Sequence, residues 1–219
     1  MNICVITGLE AEARIARRAG FATRASGGDA SRTRQAAEEF LREGAGTLLS
    51  FGIAGALAPH LVAGALVVPR AVIEENGTRH DVDPGWRSRL GNGLAAAGLR
   101  AESGDLLGTS VAAASPERKA ALFAATGAIA IDLESHIVAR AAERAGCAFF
   151  VLRAIADPAE RALPEAALHG LDAQGRPALG RVLMSVAGHP GQIPALWRLA
   201  GDTRRALHAL RSVLESRPL

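Results

Sequence analysis

Asp132-Leu133-Glu134-Ser135-His136 and, one helical segment later, Phe150-Val151-Leu152-Arg153-Ala154-Ile155-Ala156-Asp157 decide how this chain folds. The apolar run at about 128–132 reads as a strand that passes into a helix at about 134–145, and the run at about 148–155 reads as the next strand. Glu134 falls at the first junction and Asp157 at the end of the second strand. Ligands in open α/β folds gather beyond the carboxyl ends of strands, so consecutive strands delivering these two acids are expected to aim them at one pocket.

Outward from this unit the same alternation continues. Apolar runs at about 2–7, 46–51 and 65–74, with weaker ones near 21–25 and 100–107, are separated by helical patterns at about 10–19, 31–43, 84–97 and 116–125. The pattern predicts an α/β fold: one domain with a central mixed β-sheet flanked by helices on both faces, over residues 1–185. From about Arg176 the pattern is helical only, which predicts a helical extension, residues 186–219, packed on the same domain. Within it Leu196, Leu199, Leu207, Leu210 and Leu214 recur at helical spacing while arginines take other faces. Packing on the core is the expected role; a basic amphipathic surface on lipid is the alternative.

A chain of 219 residues, 49% of them apolar, is long enough to bury a substantial core. Its 25 basic and 22 acidic side chains leave a net charge of +3, which does not point to nucleic acid. Lys119 is the only lysine, so arginine carries nearly all the positive charge. Cys4 and Cys147 sit in apolar segments without metal-ligand spacing and read as core residues in a reducing compartment, so no zinc or other metal is expected. The run Met1-Asn2-Ile3-Cys4-Val5-Ile6-Thr7-Gly8 reads as a first strand and not as a signal peptide. The longest apolar stretch, Ile53 to Pro69, is interrupted by Pro59, His60 and glycines, which argues against a membrane span. A cytoplasmic protein is expected.

Three further motifs surround this unit. In Thr7-Gly8-Leu9-Glu10-Ala11-Glu12, Glu10 and Glu12 fall in the first turn of a helix, where acids complement the dipole. Ser26-Gly27-Gly28-Asp29 is a glycine turn before a helix, suited to a sugar or phosphate or serving as a plain turn. Ser50-Phe51-Gly52-Ile53-Ala54-Gly55 follows a strand, and its glycines permit close contacts, either as a pocket floor under a flat ring or as a tight strand-to-helix connection. His136 and His60 lack metal spacing and read as structural histidines, the alternative for His136, close to Glu134, being contact with the substrate or support of the site.

Taken in order, the glycine turn with Glu12, the Gly52-Ile53-Ala54-Gly55 segment, the Leu133-Glu134 pair and the Arg153-Ala154-Ile155-Ala156-Asp157 strand end resemble the nucleoside phosphorylase superfamily, most nearly its 5′-methylthioadenosine/S-adenosylhomocysteine nucleosidases. A narrower resemblance, to the hopanoid-associated phosphorylases, rests on Ser26 to Asp29, Asp132 to His136, Arg153 to Ala159 with Ala162-Leu163-Pro164, and Pro190-Gly191-Gln192-Ile193-Pro194. That resemblance implies removal of adenine from adenosylhopane, leaving a ribosyl- or phosphoribosyl-hopane. It implies catalytic roles for Asp157, the acid that protonates the purine N7, and for Glu12, which activates the attacking water. Glu134 would hold the ribose hydroxyls and Leu133 would pack on the sugar, with Gly55, Ala54, Ser110 and Val111 lining the substrate. Asp132 is expected to turn away from Glu134 and act structurally.

No cofactor is implied. Water is favoured as nucleophile because Glu12 stands where phosphorylases present an arginine, yet inorganic phosphate stays open as co-substrate, with Arg14, Arg70 or Arg79 as its candidate contacts. The partners expected are an adenine nucleoside carrying a lipid tail, a peripheral membrane contact and a second copy in a homodimer. Two departures stand out. Ala156 replaces the serine that the nucleosidases carry beside the acid, so Asp157 needs another partner, and Gly108 to Ser115 lacks their adenine-stacking phenylalanine.

Overall fold

Ile3–Thr7 (β1) is buried over Cys4 to Thr7, as a central strand requires, and pairs in parallel with both Ala22–Ala25 (β2) and Thr47–Ala56 (β3). A computed structural model describes residues 2–164, 167 and 190–216. The remaining strands are Leu66–Val67 (β4), Ala71–Glu74 (β5), Arg79–Asp81 (β6), Ala101–Glu102 (β7), Asp105–Gly108 (β8), Ala130–Asp132 (β9) and Ala148–Asp157 (β10). They form one mixed sheet in the order β6-β5-β8-β9-β3-β10-β4-β7, with β1 on the edge of β3 and β2 outside it. Helices Glu10–Arg18 (α1), Ala30–Arg42 (α2), Pro84–Ala96 (α3), Pro116–Thr126 (α4), Ser135–Ala145 (α5) and Ile193–Glu215 (α6) flank it. This is the single α/β domain that the alternation predicts.

β3 and β10 are the spine. They run in parallel from Thr47↔Ala148 to Gly55↔Asp157, and Leu48, Leu49, Phe51, Phe150, Val151, Leu152 and Ile155 are fully enclosed. Trp86 of α3 stacks on Phe150 at 5.2 Å between ring centroids and donates its indole N–H to Thr47 Oγ1 at 3.1 Å, so its one polar atom is satisfied inside the core.

The structure departs from the sequence reading in four places. The expected strand at 65–74 is two short strands, because Pro69 has no N–H to donate; β4 pairs with β10 and β7, β5 with β6 and β8. Arg79-His80-Asp81 forms a strand despite its charge, held against β5. The Gly52-Ile53-Ala54-Gly55 segment leads into no helix: it continues β3, paired with β10 through Gly55. The two acid-bearing strands are not neighbours, since β3 separates them and β9 runs antiparallel to it.

The expected boundary at 185/186 lies outside the described residues, as does the segment 176–189. From Ile193 the extension is one continuous helix, and it packs on β10, β3 and α1. Ala206, Leu210, Val213 and Leu214 are buried there, whereas Trp197 is 75% exposed. Among the described residues no helix is long and apolar enough to cross a membrane.

Candidate active site

One edge of β3 changes partner midway. β1 pairs with it as far as Ser50 and β9 joins only at Gly55, so Phe51 to Ala54 have no strand partner on that edge. A topological switch of this kind leaves backbone groups and space open at the sheet. Glu12, Glu134 and Arg153 meet there.

Arg153 belongs to β10, opposite Gly52 of β3. A Cβ on Gly52 would stand 2.7 Å from Arg153 Nη1 and 2.7 Å from Glu12 Oε1, so only glycine lets the guanidinium cross the strand to reach the gap. There Arg153, 1% exposed, donates through Nε to Asp132 Oδ2 at 2.6 Å and through Nη2 to Ser50 Oγ at 2.7 Å and Ser135 Oγ at 3.1 Å, with Glu134 Oε2 at 3.7 Å. Replacing Gly52 with alanine should displace both charged groups. The expected result is a fall of at least about tenfold in turnover and a loss of about 1–3 kcal/mol in stability, measured by the steady-state rate and by denaturant unfolding.

Glu12 and Glu10, equivalent in the first-turn reading, separate here. Glu10 pairs with Arg17 at 2.7 Å at the surface, while Glu12 is buried and accepts from Leu9 N–H at 2.7 Å and from Ile53 N–H at 2.8 Å, on the unpaired edge of β3. Burial pushes the Glu12 carboxyl above its usual range, opposed by the Arg153 guanidinium and by the backbone donors.

Glu134 stands at the start of α5 but does not cap it. Asp132 does, accepting from Ser135 N–H at 3.0 Å. Asp132 does not turn away from Glu134 as expected: their carboxylates lie 2.6 Å and 3.7 Å from the same Arg153 Nη2, and Asp132 caps α5 as well. Glu134 faces the glycine loops instead: its Oε1 lies 2.7 Å from where a Gly8 Cβ would be and 3.9 Å from that of Gly28, and the two loops are tied by Gly27 N–H to Gly8 O at 2.7 Å. Burial first, then the neighbouring Asp132 and Glu12, push its pKa up to about 7 against the pull of Arg153.

Asp157 ends β10 beyond a register shift that leaves Ala156 without a counterpart on β3; such bulges re-aim the next side chain. Its Oδ2 lies 3.5 Å from the Cβ position of Gly55 and 2.6 Å from Lys119 Nζ of α4. Burial raises its pKa, and the Lys119 hydrogen bond and charge oppose the rise. Gly52 and Gly55 are three residues apart, so the Glu12–Arg153 end and the Asp157 end of the site lie about 10 Å apart along β3.

The remaining expected residues lie around this frame. Ala54 is buried on β3 opposite Ile155, and Leu133 is half-buried between Asp132 and Glu134. Ser110 and Val111 are exposed, the latter by 75%, on a loop running from Thr109, whose N–H bonds Asp132 O at 3.0 Å, to Ala114, whose carbonyl accepts from Leu163 N–H at 2.8 Å. Among the phosphate candidates, Arg14 lies 3.9 Å from Glu10, Arg70 3.5 Å from Asp105, and Arg79 2.7 Å from Asp105. His136 is buried, and burial lowers its pKa; His60 is exposed, 3.9 Å from Glu102. No metal-ligating cluster occurs among the described residues.

Two residues escaped the sequence reading. Arg153 sat unexplained inside an apolar strand, and a charge so placed has to be paired within the fold. Lys119, the only lysine in an arginine-rich chain, carried the second signal.

A comparison with curated proteins finds no match. Among solved structures the chain is similar to S-adenosylhomocysteine nucleosidase from Streptococcus pyogenes in complex with 5-methylthiotubericidin, at 18% identity and TM-score 0.73, covering 100% of this chain and 98% of that one. Futalosine hydrolase of Helicobacter pylori aligns at 16% identity and TM-score 0.69, covering 97% of each chain. The 5′-methylthioadenosine/S-adenosylhomocysteine nucleosidase from Neisseria meningitidis aligns at 16% and 0.69, covering 98% of each. At these identities the likeness shows the fold. Residues 26–183, most of the described sheet included, match the phosphorylase superfamily. The chain therefore belongs to the phosphorylase superfamily, as an enzyme of its nucleoside N-glycosidic cleavage class.

Proposed function

We propose that the protein hydrolyses the N-glycosidic bond of an adenine nucleoside whose 5′ carbon carries a hydrophobic hopanoid tail, releasing adenine and a ribosyl-hopane. The observation that carries this reading is the placement of Glu12 and Glu134 around Arg153 at one end of the β3 gap, with Asp157 about 10 Å along the strand at the other. A purine riboside spans that interval. Asp157 donates a proton to the purine N7 as the bond to C1′ breaks, so the base leaves as neutral adenine. Glu134 accepts from the ribose hydroxyls and its charge favours the cationic sugar. Glu12 takes a proton from the attacking water, whose oxygen bonds C1′. Gly55 and Ala54 form the floor beneath the base, Leu133 packs on the sugar, and Ser110 and Val111 border the opening.

Water is preferred to phosphate because the one guanidinium among these acids, Arg153, is already held by Asp132, Ser50 and Ser135, and three buried carboxylates surround it. A phosphate dianion there would meet like charge. The lipid tail rests on the narrower resemblance and on the run from the exposed Val111 to Ala114, with the exposed Trp197 and the arginines of α6 as the surface that meets a membrane. A homodimer belongs to the same reading.

A second reading, methylthioadenosine or S-adenosylhomocysteine as substrate, is favoured by the full-length likeness to the Streptococcus pyogenes enzyme. Product analysis with vesicle-borne adenosylhopane and with methylthioadenosine, each with and without phosphate, separates them. Adenine and ribosyl-hopane without phosphate are expected. Turnover of methylthioadenosine alone selects the second reading, strict phosphate dependence with a sugar 1-phosphate product selects phosphorolysis, and no adenine from either substrate overturns the enzymatic assignment of the site.

A further inference from the structure

Lys119 is 0% exposed, and a buried lysine has to spend its charge and its donors within the fold. All three N–H groups are accounted for: Pro158 O at 2.9 Å, Arg161 O at 2.7 Å and Asp157 Oδ2 at 2.6 Å. Two of the acceptors belong to the segment immediately after Asp157, and the third is the acid itself. The same segment is anchored on its far side, where Arg161 bonds Asp202 of α6 and Arg205 reaches the other oxygen of Asp202 at 2.5 Å. Helix α4 thereby holds, through one side chain, both the carboxyl group and the backbone that aims it.

We propose that Lys119 is the positioning residue of this site, an ammonium that fixes Asp157 and stabilises its carboxylate as the purine N7 takes the proton, in place of the hydroxyl that Ala156 lacks. The inference rests on the reading of Asp157 as the leaving-group acid. When the C1′–N9 bond breaks, its electron pair stays with the base, the Asp157 proton moves to N7, and Asp157 is left ionised beside Lys119. The lysine keeps its three protons throughout, and Asp157 regains its own from solvent after adenine departs.

The other charged groups that act on Asp157 are Asp202 and Glu160, and both favour its protonated form. Asp202 is buried and already neutralised by Arg161 and Arg205, whereas Glu160 is exposed. Burial and these acids favour the protonated form of Asp157, and Lys119 favours the carboxylate left after the transfer. The balance of the two is what a general acid near neutral pH requires.

Because Lys119 is the only lysine, lysine labelled at Cε gives one resonance that reports this ammonium alone. In the wild-type enzyme that resonance should step at the pH where the basic limb of adenine release falls, and the step should vanish in Asp157→Asn. No step, or a step that survives in Asp157→Asn, overturns the proposal without needing any Lys119 variant to fold.

The kinetic arm uses Lys119→Met. Removing the charge should raise the basic limb by about 1–3 pH units and lower the plateau rate at least about tenfold, with KM changed by less than about threefold. Lys119→Arg, which keeps the charge, should keep the limb near its wild-type position. A folded Lys119→Met variant whose limb does not move refutes the role. If the wild-type enzyme released no adenine from either nucleoside, the proposed function would fall, while the lysine resonance would still decide whether Lys119 senses Asp157.

Discussion

Asp157→Asn is expected to release adenine at least about 100-fold more slowly than the wild-type enzyme while keeping its fold. Asparagine preserves the size and leaves an oxygen to accept from Lys119, 2.6 Å away in the wild type, so the clamp on the following segment persists. What is lost is the proton that makes adenine a neutral leaving group. The amide NH2 that replaces one carboxyl oxygen needs a partner of its own in this buried place, and a polar group left without one costs about 1–3 kcal/mol, which denaturant unfolding will register without global loss of structure. Binding of a non-hydrolysable adenine nucleoside should weaken far less than turnover. A variant that is folded and cleaves at the wild-type rate would remove Asp157 from the chemistry.

Glu12→Gln should lower hydrolysis by about 100- to 10,000-fold, because glutamine cannot take a proton from water; its single amide oxygen keeps only one of the hydrogen bonds from Leu9 and Ile53 N–H, which go to different carboxylate oxygens. The pH profile gives an independent check. A base works as its carboxylate, and burial raises both Glu12 and, to about 7, Glu134, so wild-type activity should climb as pH rises toward neutrality. The acid Asp157 works protonated, and burial raises it too, so activity should fall again on the alkaline side. A bell-shaped dependence of kcat/KM is the result. Glu12→Gln also removes a negative neighbour of Glu134, so the residual acidic limb should move to lower pH. An unchanged rate and limb in a folded Glu12→Gln enzyme would assign Glu12 to helix capping alone.

The contrast between Glu10 and Glu12 shows where local reading stops. Both occupy the first turn of α1 and both satisfy the dipole rule, and only the position of β3 forty residues later distinguishes the surface pair from the buried acid. Glu134 and Asp132 divide in the same way. Their spacing marks a helix start, but the capping by Asp132 that leaves Glu134 facing the glycine loops is a matter of three-dimensional placement.

The strand and helix alternation, the two acids at strand ends and the single α/β domain were determined by the sequence itself, because hydrophobic periodicity and glycine turns act over a few residues. The split of 65–74 had a local signal, the missing N–H of Pro69, but the continuous apolar run hid it and the segment was read as one strand. The tertiary structure alone decided that β9 runs antiparallel to β3, that the edge of β3 opens between Ser50 and Gly55, that Arg153 crosses over Gly52, and that Lys119 reaches Asp157 from 38 residues away. Each of these joins charged or polar groups distant in the chain. No local periodicity encodes which of them will share a buried space; the demand that every buried charge find a partner can be met only once the sheet is assembled.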